Sequence, residues 1–410
     1  MNIPFYIARK TAFTESGRHK SPSIGIGITA VAVSVGIMIA AISIVLGFKH
    51  EITEKIISFN SHITLYPTRI TESDPDNLEL TAPLKHILDN EEYISGYHLE
   101  AAIPAILKTD EDFKGIYMRG GNGNYISDLV ADNLIAGNAD LSVADNAIAV
   151  SRKTSRELGL EVGDTIDAYF IGKSVRGRRM NVTAVFDTHF EDYDNIYAFV
   201  NLPLIQDVAG LSATQGSEIH LTTDGFNRIE QSTSRLRDVL LSSSAENPAV
   251  PLLTVTNVRK QGANYFSWLS MLDTNVAVIL SLMAVVACVT LISGLLIIII
   301  EKRRMIGILR SFGASGKIIR RTFVYMALRI CLWGILIGNT VALAVLWLQQ
   351  SIHFLRLDPD SYYIDFVPVR FNWYALIILN ISVFVLARIL LILPARTASR
   401  TDVSSILRYE

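Results

Sequence analysis

Two kinds of segment alternate along the chain. Continuous apolar runs occupy 24–48, 275–300, 330–348 and 371–393, and a long stretch of mixed polarity separates the first run from the second. The first run holds 25 residues without a charge. At about 1.5 Å per residue it crosses a hydrocarbon core about 30 Å thick with some tilt. It reads as an uncleaved transmembrane helix, because a signal-peptide apolar region is only about 7–15 residues long. The third span is placed at 323–348, with Arg329 snorkelling to the interface, and the fourth at 371–393, with Arg388 in a similar position. Four spans are predicted.

Residues 49–274 carry shorter patterns. Alternation over 62–66 predicts a strand, 83–90 a short helix, and 94–107 a returning strand, which together make one β-α-β layer. A second unit starts with a strand at 147–150 and a helix at 151–158. It turns at Gly163-Asp164 into a strand at 165–171 and returns through a hairpin around 172–177 as a strand at 180–186. A helix over 227–242 and a strand over 252–255 close the first layer with a second β-α-β arm. The run Gly120-Gly121-Asn122-Gly123 reads as a surface turn, since no strand-to-helix dinucleotide context surrounds it. The predicted fold class is therefore an α-helical membrane protein with four transmembrane helices and a mixed α+β domain inserted between helices 1 and 2.

Composition supports a membrane protein and charge orients it. Half of the 410 residues are hydrophobic and 19% charged, with a mean hydropathy of +0.34, too apolar for an ordinary soluble chain. The near-neutral total conceals a segregation. Residues 49–274 carry 19 basic and 32 acidic side chains, whereas 1–23, 301–321 and 394–410 together carry 14 basic and 4 acidic. Cationic loops stay inside, so both termini and the 301–321 loop are expected inside, and 49–274 and 349–370 outside. Trp268, Trp347 and Trp373 then lie near the outer ends of their spans, as an aromatic belt requires. The two cysteines, Cys288 and Cys331, sit in apolar runs and offer neither a disulfide framework nor a thiolate metal site.

Catalytic patterns are missing. A P-loop needs a glycine five residues before its Gly-Lys-Ser/Thr, but Asp167 stands there for Gly172-Lys173-Ser174 and Ser311 for Gly316-Lys317. The 8 histidines are scattered, without a His-Glu-x-x-His pattern or a second ligand at useful spacing, so no metal site is predicted. Acidic pairs such as Glu191-Asp192 read as solvated surface. Asn339 and Asn380 are the strongly polar residues within the spans, too few for an ion-coupled pathway. The informative segment is 301–321, where Met305, Ile306, Ile308 and Leu309 alternate with arginines up to a break at Gly313. An apolar and cationic knob of this kind suits docking into another protein's groove.

That segment resembles the E-(K/R)-x-x-E-I-G-(I/V)-L-(R/K)-(A/T)-(L/I)-G-A signature of the permease family that includes the lipoprotein-releasing LolC/LolE, MacB and FtsX proteins. Met305 replaces the usual acidic residue. Pro394-Ala395-Arg396-Thr397-Ala398-Ser399-Arg400 and Ile406-Leu407-Arg408-Tyr409-Glu410 resemble the family's ending. Val45-Leu46-Gly47-Phe48-Lys49-His50-Glu51-Ile52 resembles the first helix of its lipoprotein-releasing branch, Tyr362-Tyr363-Ile364-Asp365-Phe366-Val367-Pro368-Val369 its last outer loop, and Asp192-Tyr193-Asp194 with Tyr197-Ala198-Phe199-Val200 an outer strand pair. The resemblance covers essentially the whole chain.

It implies a multi-pass protein of the bacterial inner membrane: a cytoplasmic amphipathic N-terminus at 1–23, a periplasmic domain at 49–274, a cytoplasmic coupling loop at 301–321, a periplasmic loop at 349–370 and a cytoplasmic tail at 394–410. It implies a non-enzymatic permease subunit that extracts lipoproteins for a periplasmic carrier, with ATP and magnesium on a separate ATPase and no cofactor on this chain. The implied partners are a LolD-like P-loop ATPase dimer, a second permease copy or paralogue, triacylated lipoproteins, a LolA-like carrier and membrane lipid. Arg303, Arg304, Ile306, Leu309, Arg310, Phe312, Gly313 and Ala314 would couple to the ATPase. Phe48, Ile52, Phe59, Phe266, Trp268, Leu269 and Leu272 would line an acyl-chain entrance, with belt and packing roles as the alternative. Arg176, Arg178 and Arg179 would form a carrier-docking edge or a solubilising hairpin tip. Here the hairpin is short and Asp167 stands where the family's docking member carries an arginine. An FtsX-like mechanical activator of a cell-wall hydrolase and a MacB-like exporter remain open as alternatives.

Overall fold

The computed structural model describes residues 4, 6–8, 22–69, 77–142, 144–171, 175–392 and 394–395. The expectations for the basic N-terminal residues 9–20, for 172–174 and for 396–410 lie outside the described residues. The chain divides into two units, Met1–His50 with Trp268–Arg356 and Phe366–Glu410, and Glu51–Ser267 with Leu357–Asp365.

Among the described residues, four helices are long and apolar enough to cross a membrane: Pro22–Asn60, Ala263–Glu301, Gly316–Ile352 and Trp373–Leu390. The first two have 39 residues each, about 58 Å at 1.5 Å per residue, so each outlasts a 30 Å hydrocarbon core. The first therefore continues well beyond the predicted end at residue 48, and the third starts at Gly316 inside the predicted loop. In the first unit, Val31, Val35, Met38 and Ile39 pack with Phe323, Met326, Cys331, Leu376 and Val383. Close approach is set by Gly334 and Gly338, a small-xxx-small pair of the kind that lets membrane helices touch. A Cβ on Gly338 would stand 2.6 Å from the Ala32 carbonyl oxygen, and one on Gly334 would stand 2.6 Å from Val31 Cβ. Asn339 and Asn380 satisfy each other, amide to amide, at 2.8 and 3.0 Å. The two motifs of the first helix and the last outer loop also meet, since a Cβ on Gly47 would lie 2.6 Å from the Pro368 oxygen. Val278, Leu282, Val285 and Val289 face outward and are exposed, as a lipid-facing surface permits.

The second unit is built on β1 (Ile63–Pro67), β2 (Leu78–Glu79), β3 (Ile94–Lys108), β4 (Phe113–Gly121), β5 (Leu134–Gly137), β6 (Ala147–Ser151), β7 (Thr165–Ile171), β8 (Val175–Phe186), β9 (Tyr197–Val200), β10 (Gln215–Gly216), β11 (Glu218–Thr223) and β12 (Leu253–Asn257). Its first layer runs β12-β1-β11-β3, antiparallel throughout. Helix Ala82–Asn90 leads from β1 toward β3, and helix Ile229–Glu246 leads from β11 to β12. Each arm is a split β-α-β, and the two interleave. The 15-residue β3 outruns this layer. Its first half pairs with β11 and its second half with β4 and β7. The pairings β3-β4-β9-β6-β8-β7-β3 then close a ring of strands, along which Leu107, Met118, Ala168, Phe170, Met180 and Val182 are buried.

Two local expectations are corrected. Asp192-Tyr193-Asp194 lies in helix Glu191–Ile196, where Glu191, Asp192 and Asp194 occupy the first turn and favour the positive end of the helix dipole. Gly120 and Gly121 end β4 and are buried. A Cβ on Gly120 would meet the backbone of Leu202 at 3.0 Å, so packing explains this glycine and the turn begins only at Asn122.

Candidate functional site

The segment predicted to couple folds as helix Arg303–Ser311 and ends where Gly313 takes a φ of +82° and the Ala314 N–H donates to Leu309 O at 2.9 Å. Such a left-handed stop suits glycine. The helix is two-sided. Ile306 and Gly307 are buried, Ile306 within the core shared with Ile319 and Phe323. Arg303 and Arg304 are exposed, Ile308 is 51% exposed and Phe312 85%. Ile306 therefore belongs to the scaffold and offers no surface to a partner, while Leu309 and Arg310 are half-buried at its edge. Ile308, absent from the predicted coupling set, joins Phe312 as its exposed apolar part.

The residues predicted to line an acyl-chain entrance divide between the two units. Phe48, Ile52, Phe59 and Leu269 are buried. Phe48 packs edge-on against Trp268, with ring centroids 5.6 Å apart, and Phe59 stacks on Tyr193 at 4.7 Å. Phe266 stacks on Phe226 at 5.4 Å, and Leu272 is half-buried. These side chains supply packing, as aromatic groups with large buried areas do.

The hairpin arginines are also engaged. Arg176 donates through Nη1 to the Asp207 and Val208 carbonyls at 3.0 and 2.9 Å, at the C-terminal end of helix Leu202–Ala209, where a cation is favoured. Arg178 pairs with the Asp207 carboxylate, and Arg179 with Asp167 at 3.0 Å. Asp167 thus holds Arg179 across the β7–β8 ladder inside the hairpin, while Arg176 and Arg178 fasten the hairpin to helix Leu202–Ala209.

The second unit holds a cavity of about 370 Å³ whose lining includes Asn60, Glu100, Arg119, Tyr193, Tyr197 and His220. Beside it lies a polar cluster within the sheet. Register places Glu218 opposite Glu100 and His220 opposite His98, and Arg119 on β4 opposite Ala102, all on one face because side chains two residues apart point the same way. Glu100, Arg119, His98 and His220 are each buried. Arg119 Nε donates to Glu100 Oε2, and His98 Nε2 lies 2.8 Å from Glu100 Oε1. Burial alone would raise the Glu100 pKa. Arg119, His220 and the His98 hydrogen bond outweigh that and hold the carboxyl well below the usual carboxylate range. Burial holds the His98 pKa below its ordinary value, against the pull of Glu100. Arg119 also lies 5.9 Å from the Tyr197 ring centroid, and its Nη2 finds no hydrogen-bond partner among the described residues.

This cluster corrects the view of the histidines as isolated. The sequence signal was present as His98-Leu99-Glu100 and Glu218-Ile219-His220, two mirrored triplets whose ends share a strand face. Their pairing depends on register between strands more than a hundred residues apart, which spacing along the chain does not reveal.

Comparison with known proteins agrees with the two-part architecture. A MacB-like periplasmic core domain matches residues 25–239, and an FtsX-like permease C-terminal region matches 277–403. The chain is 22% identical over 407 residues to the lipoprotein-releasing system transmembrane protein LolC of Xylella fastidiosa, covering 93% of each chain. It is 21% identical over 446 residues to the corresponding LolE of Haemophilus influenzae, covering 99% of each. The crystal structure of the periplasmic region of MacB from Actinobacillus actinomycetemcomitans aligns with 52% of this chain and 97% of that one, at 12% identity and a TM-score of 0.36. With four candidate spans, an inserted α/β domain and these matches along nearly its whole length, the chain belongs to the permease family that carries a MacB-like periplasmic core and an FtsX-like C-terminal region, and is a homologue of LolC and LolE.

Proposed function

We propose that this chain is the permease subunit of an ABC transporter that draws lipoproteins out of the bacterial inner membrane and passes them to a periplasmic carrier. The observation that carries the reading is the end-to-end likeness to lipoprotein-releasing proteins, 93% and 99% of whose lengths are covered. Elementary energetics say what such a subunit must do. Exposing acyl chains to water costs about 0.8 kcal/mol per CH₂, so extraction needs nucleotide energy delivered across the membrane. A separate P-loop ATPase dimer, holding ATP and magnesium, supplies it.

The exposed face of helix Arg303–Ser311, with Arg303, Arg304, Ile308 and Phe312, is the dock for that ATPase, and Ile306 anchors the dock to the helices behind it. Arginine and aromatic side chains are the usual energetic centres of such contacts. The positive-inside pattern puts both termini and this helix on the cytoplasmic side. A second permease copy or paralogue completes the pathway, and the lipoprotein enters between the two.

The test is purification of the tagged chain in mild detergent, with mass spectrometry of what accompanies it, for the wild type and Phe312→Asp. The expected result is an ATPase and triacylated lipoproteins with the wild type, and loss of the ATPase with the variant while the permease remains folded. Recovery of an ATPase with a cell-wall hydrolase and no lipoprotein would replace release by mechanical signalling. Undiminished ATPase recovery with Phe312→Asp would remove the dock.

A further inference from the structure

The square formed by His98, Glu100, Glu218 and His220 poses an electrostatic problem. Glu100 and Glu218 are direct partners across an antiparallel ladder, an arrangement in which like charges destabilise. Arg119 answers for one of them, bonded through Nε to Glu100. His220 shows what remains. Its Nδ1 faces the Asn60 carbonyl at 3.4 Å, and its Nε2 faces Glu218 Oε2 at 3.1 Å and Glu100 Oε2 at 3.6 Å. Every one of these neighbours is an acceptor, whereas a neutral imidazole has a single N–H. With that proton on Nδ1, the Nε2 lone pair points at two anions. With the proton on Nε2 instead, it serves Glu218 and leaves the Nδ1 lone pair against the Asn60 carbonyl; a cation held at Nε2 satisfies both sides of the ring at once.

We infer that His98, Glu100, His220 and Glu218 form a site for a divalent transition-metal ion of the zinc type. Zinc takes imidazole nitrogen and carboxylate oxygen at about 2.0–2.2 Å in a tetrahedral arrangement, which puts ligand atoms about 3.4 Å apart. His98 Nε2 lies 2.8 Å from Glu100 Oε1 and His220 Nε2 3.6 Å from Glu100 Oε2, and one ligand atom from each of His98, Glu100 and His220 lies within 4.8 Å of the others, close enough for one ion to draw them together. The supporting groups are those a ligating histidine uses. The Nδ1 of His220 is turned to the Asn60 carbonyl at 3.4 Å, the kind of partner that a ligating histidine uses to keep Nε2 for the ion. His98 stacks on Tyr125 with centroids 3.8 Å apart, and Arg119 orients Glu100 from the side. The cavity reaches Glu100, Glu218 and His220 and adds Asp192 to its lining, giving a path of entry and an acidic surplus. Two imidazoles select against calcium and magnesium, which prefer all-oxygen ligands. The ion clamps β3 to β11, and β3 is the strand shared by the two halves of the domain.

The test uses the full chain in detergent, carried on a tag without histidine and purified without chelators. Metal content by mass spectrometry, cobalt titration followed by visible absorption, and thermal unfolding with and without zinc are measured for the wild type, His98→Gln, His220→Gln and Glu218→Gln. The expected result is stoichiometric zinc, the visible band of tetrahedral cobalt, and a rise in unfolding temperature with zinc. His98→Gln and His220→Gln should lose the band and the rise. Glu218 is 44% exposed at its side chain and so is replaceable without disturbing the core. Its Gln variant should fold and bind the ion at least about tenfold more weakly. Absence of stoichiometric metal and of the band in the wild type would overturn the site. Undiminished binding by the three variants would overturn it as well, placing the metal elsewhere.

Discussion

At the scale of single residues, Asp194 shows how burial turns a carboxylate into a pH-dependent element. Its carboxylate receives the Thr188 N–H at 3.2 Å and the Thr188 hydroxyl at 2.9 Å. Burial nevertheless dominates and, with Asp187 nearby, pushes the pKa up from 3.8 to about 7. A raised carboxylate pKa means that the folded state holds a proton that the unfolded chain has already released. Stability from this group is therefore full below the unfolded pKa, falls as pH rises between about 4 and 7, and stays low above. Asp194→Asn keeps an acceptor for Thr188 without the charge. The difference in unfolding temperature between the Asn variant and the wild type should grow in the variant's favour from pH 4 to pH 8. A difference independent of pH would contradict the assignment. The Arg119–Glu100 pair works in the opposite sense, as two charges almost wholly buried together, with side chains 8% and 3% exposed. Replacing Arg119 by Met strands the Glu100 carboxylate and should cost roughly 3–5 kcal/mol. Adding Glu100→Gln should recover part of that loss in a double-mutant cycle by denaturant unfolding. Neither residue stood out in the sequence, because a lone Glu or Arg in a strand pattern looks the same whether it faces water or a buried partner.

Among elements, helix Arg303–Ser311 was legible and its inner face was not. Arginines alternating with aliphatic residues up to Gly313 mark a short cationic helix in any context. Which aliphatic residue points inward depends on the helices behind it, and Ile306 is the one they bury. Ile306→Asp should therefore deplete folded permease, seen as loss of monodisperse protein on size exclusion. Phe312→Asp, at an exposed position, should leave the unfolding midpoint within about 0.5 kcal/mol of wild type. Glycine spacing in the third span follows the same logic. Enlarging Gly338 to Leu gains up to about 1 kcal/mol of helix propensity, but drives the side chain into the Ala32 backbone 2.6 Å from its Cβ. Overpacking of this kind costs typically 1–3 kcal/mol, so the variant should unfold at lower temperature in detergent. The pairing of Asn339 with Asn380 likewise gives a structural use to two residues first noticed only as polar groups inside apolar runs.

For the whole molecule, the division into two units carries its own expectation. Urea acts on the aqueous domain built from β1 to β12 while detergent sustains the apolar helices, so unfolding should proceed in separate steps rather than as one two-state transition. Strand signal in circular dichroism should be lost while most of the helical signal remains, and coincident loss of both would contradict it. Local pattern sufficed for the span count, the insertion of a mixed domain between the first two helices, half of that domain's twelve described strands, its helices Ala82–Asn90, Arg152–Leu158 and Ile229–Glu246, and the short cationic helix before Gly313. These are set by local properties: the length of an apolar run, a period of two or of 3.6, a glycine at a turn. Packing and register settle that the two β-α-β arms interleave, that β3 serves two layers, that Ile306 and four of the seven supposed entrance residues are buried, that Arg176 and Arg178 tie the hairpin to helix Leu202–Ala209, and that two histidines and two glutamates share one corner. Each of those outcomes depends on register and packing between segments distant in the chain, where a shift of one residue turns every side chain to the other face.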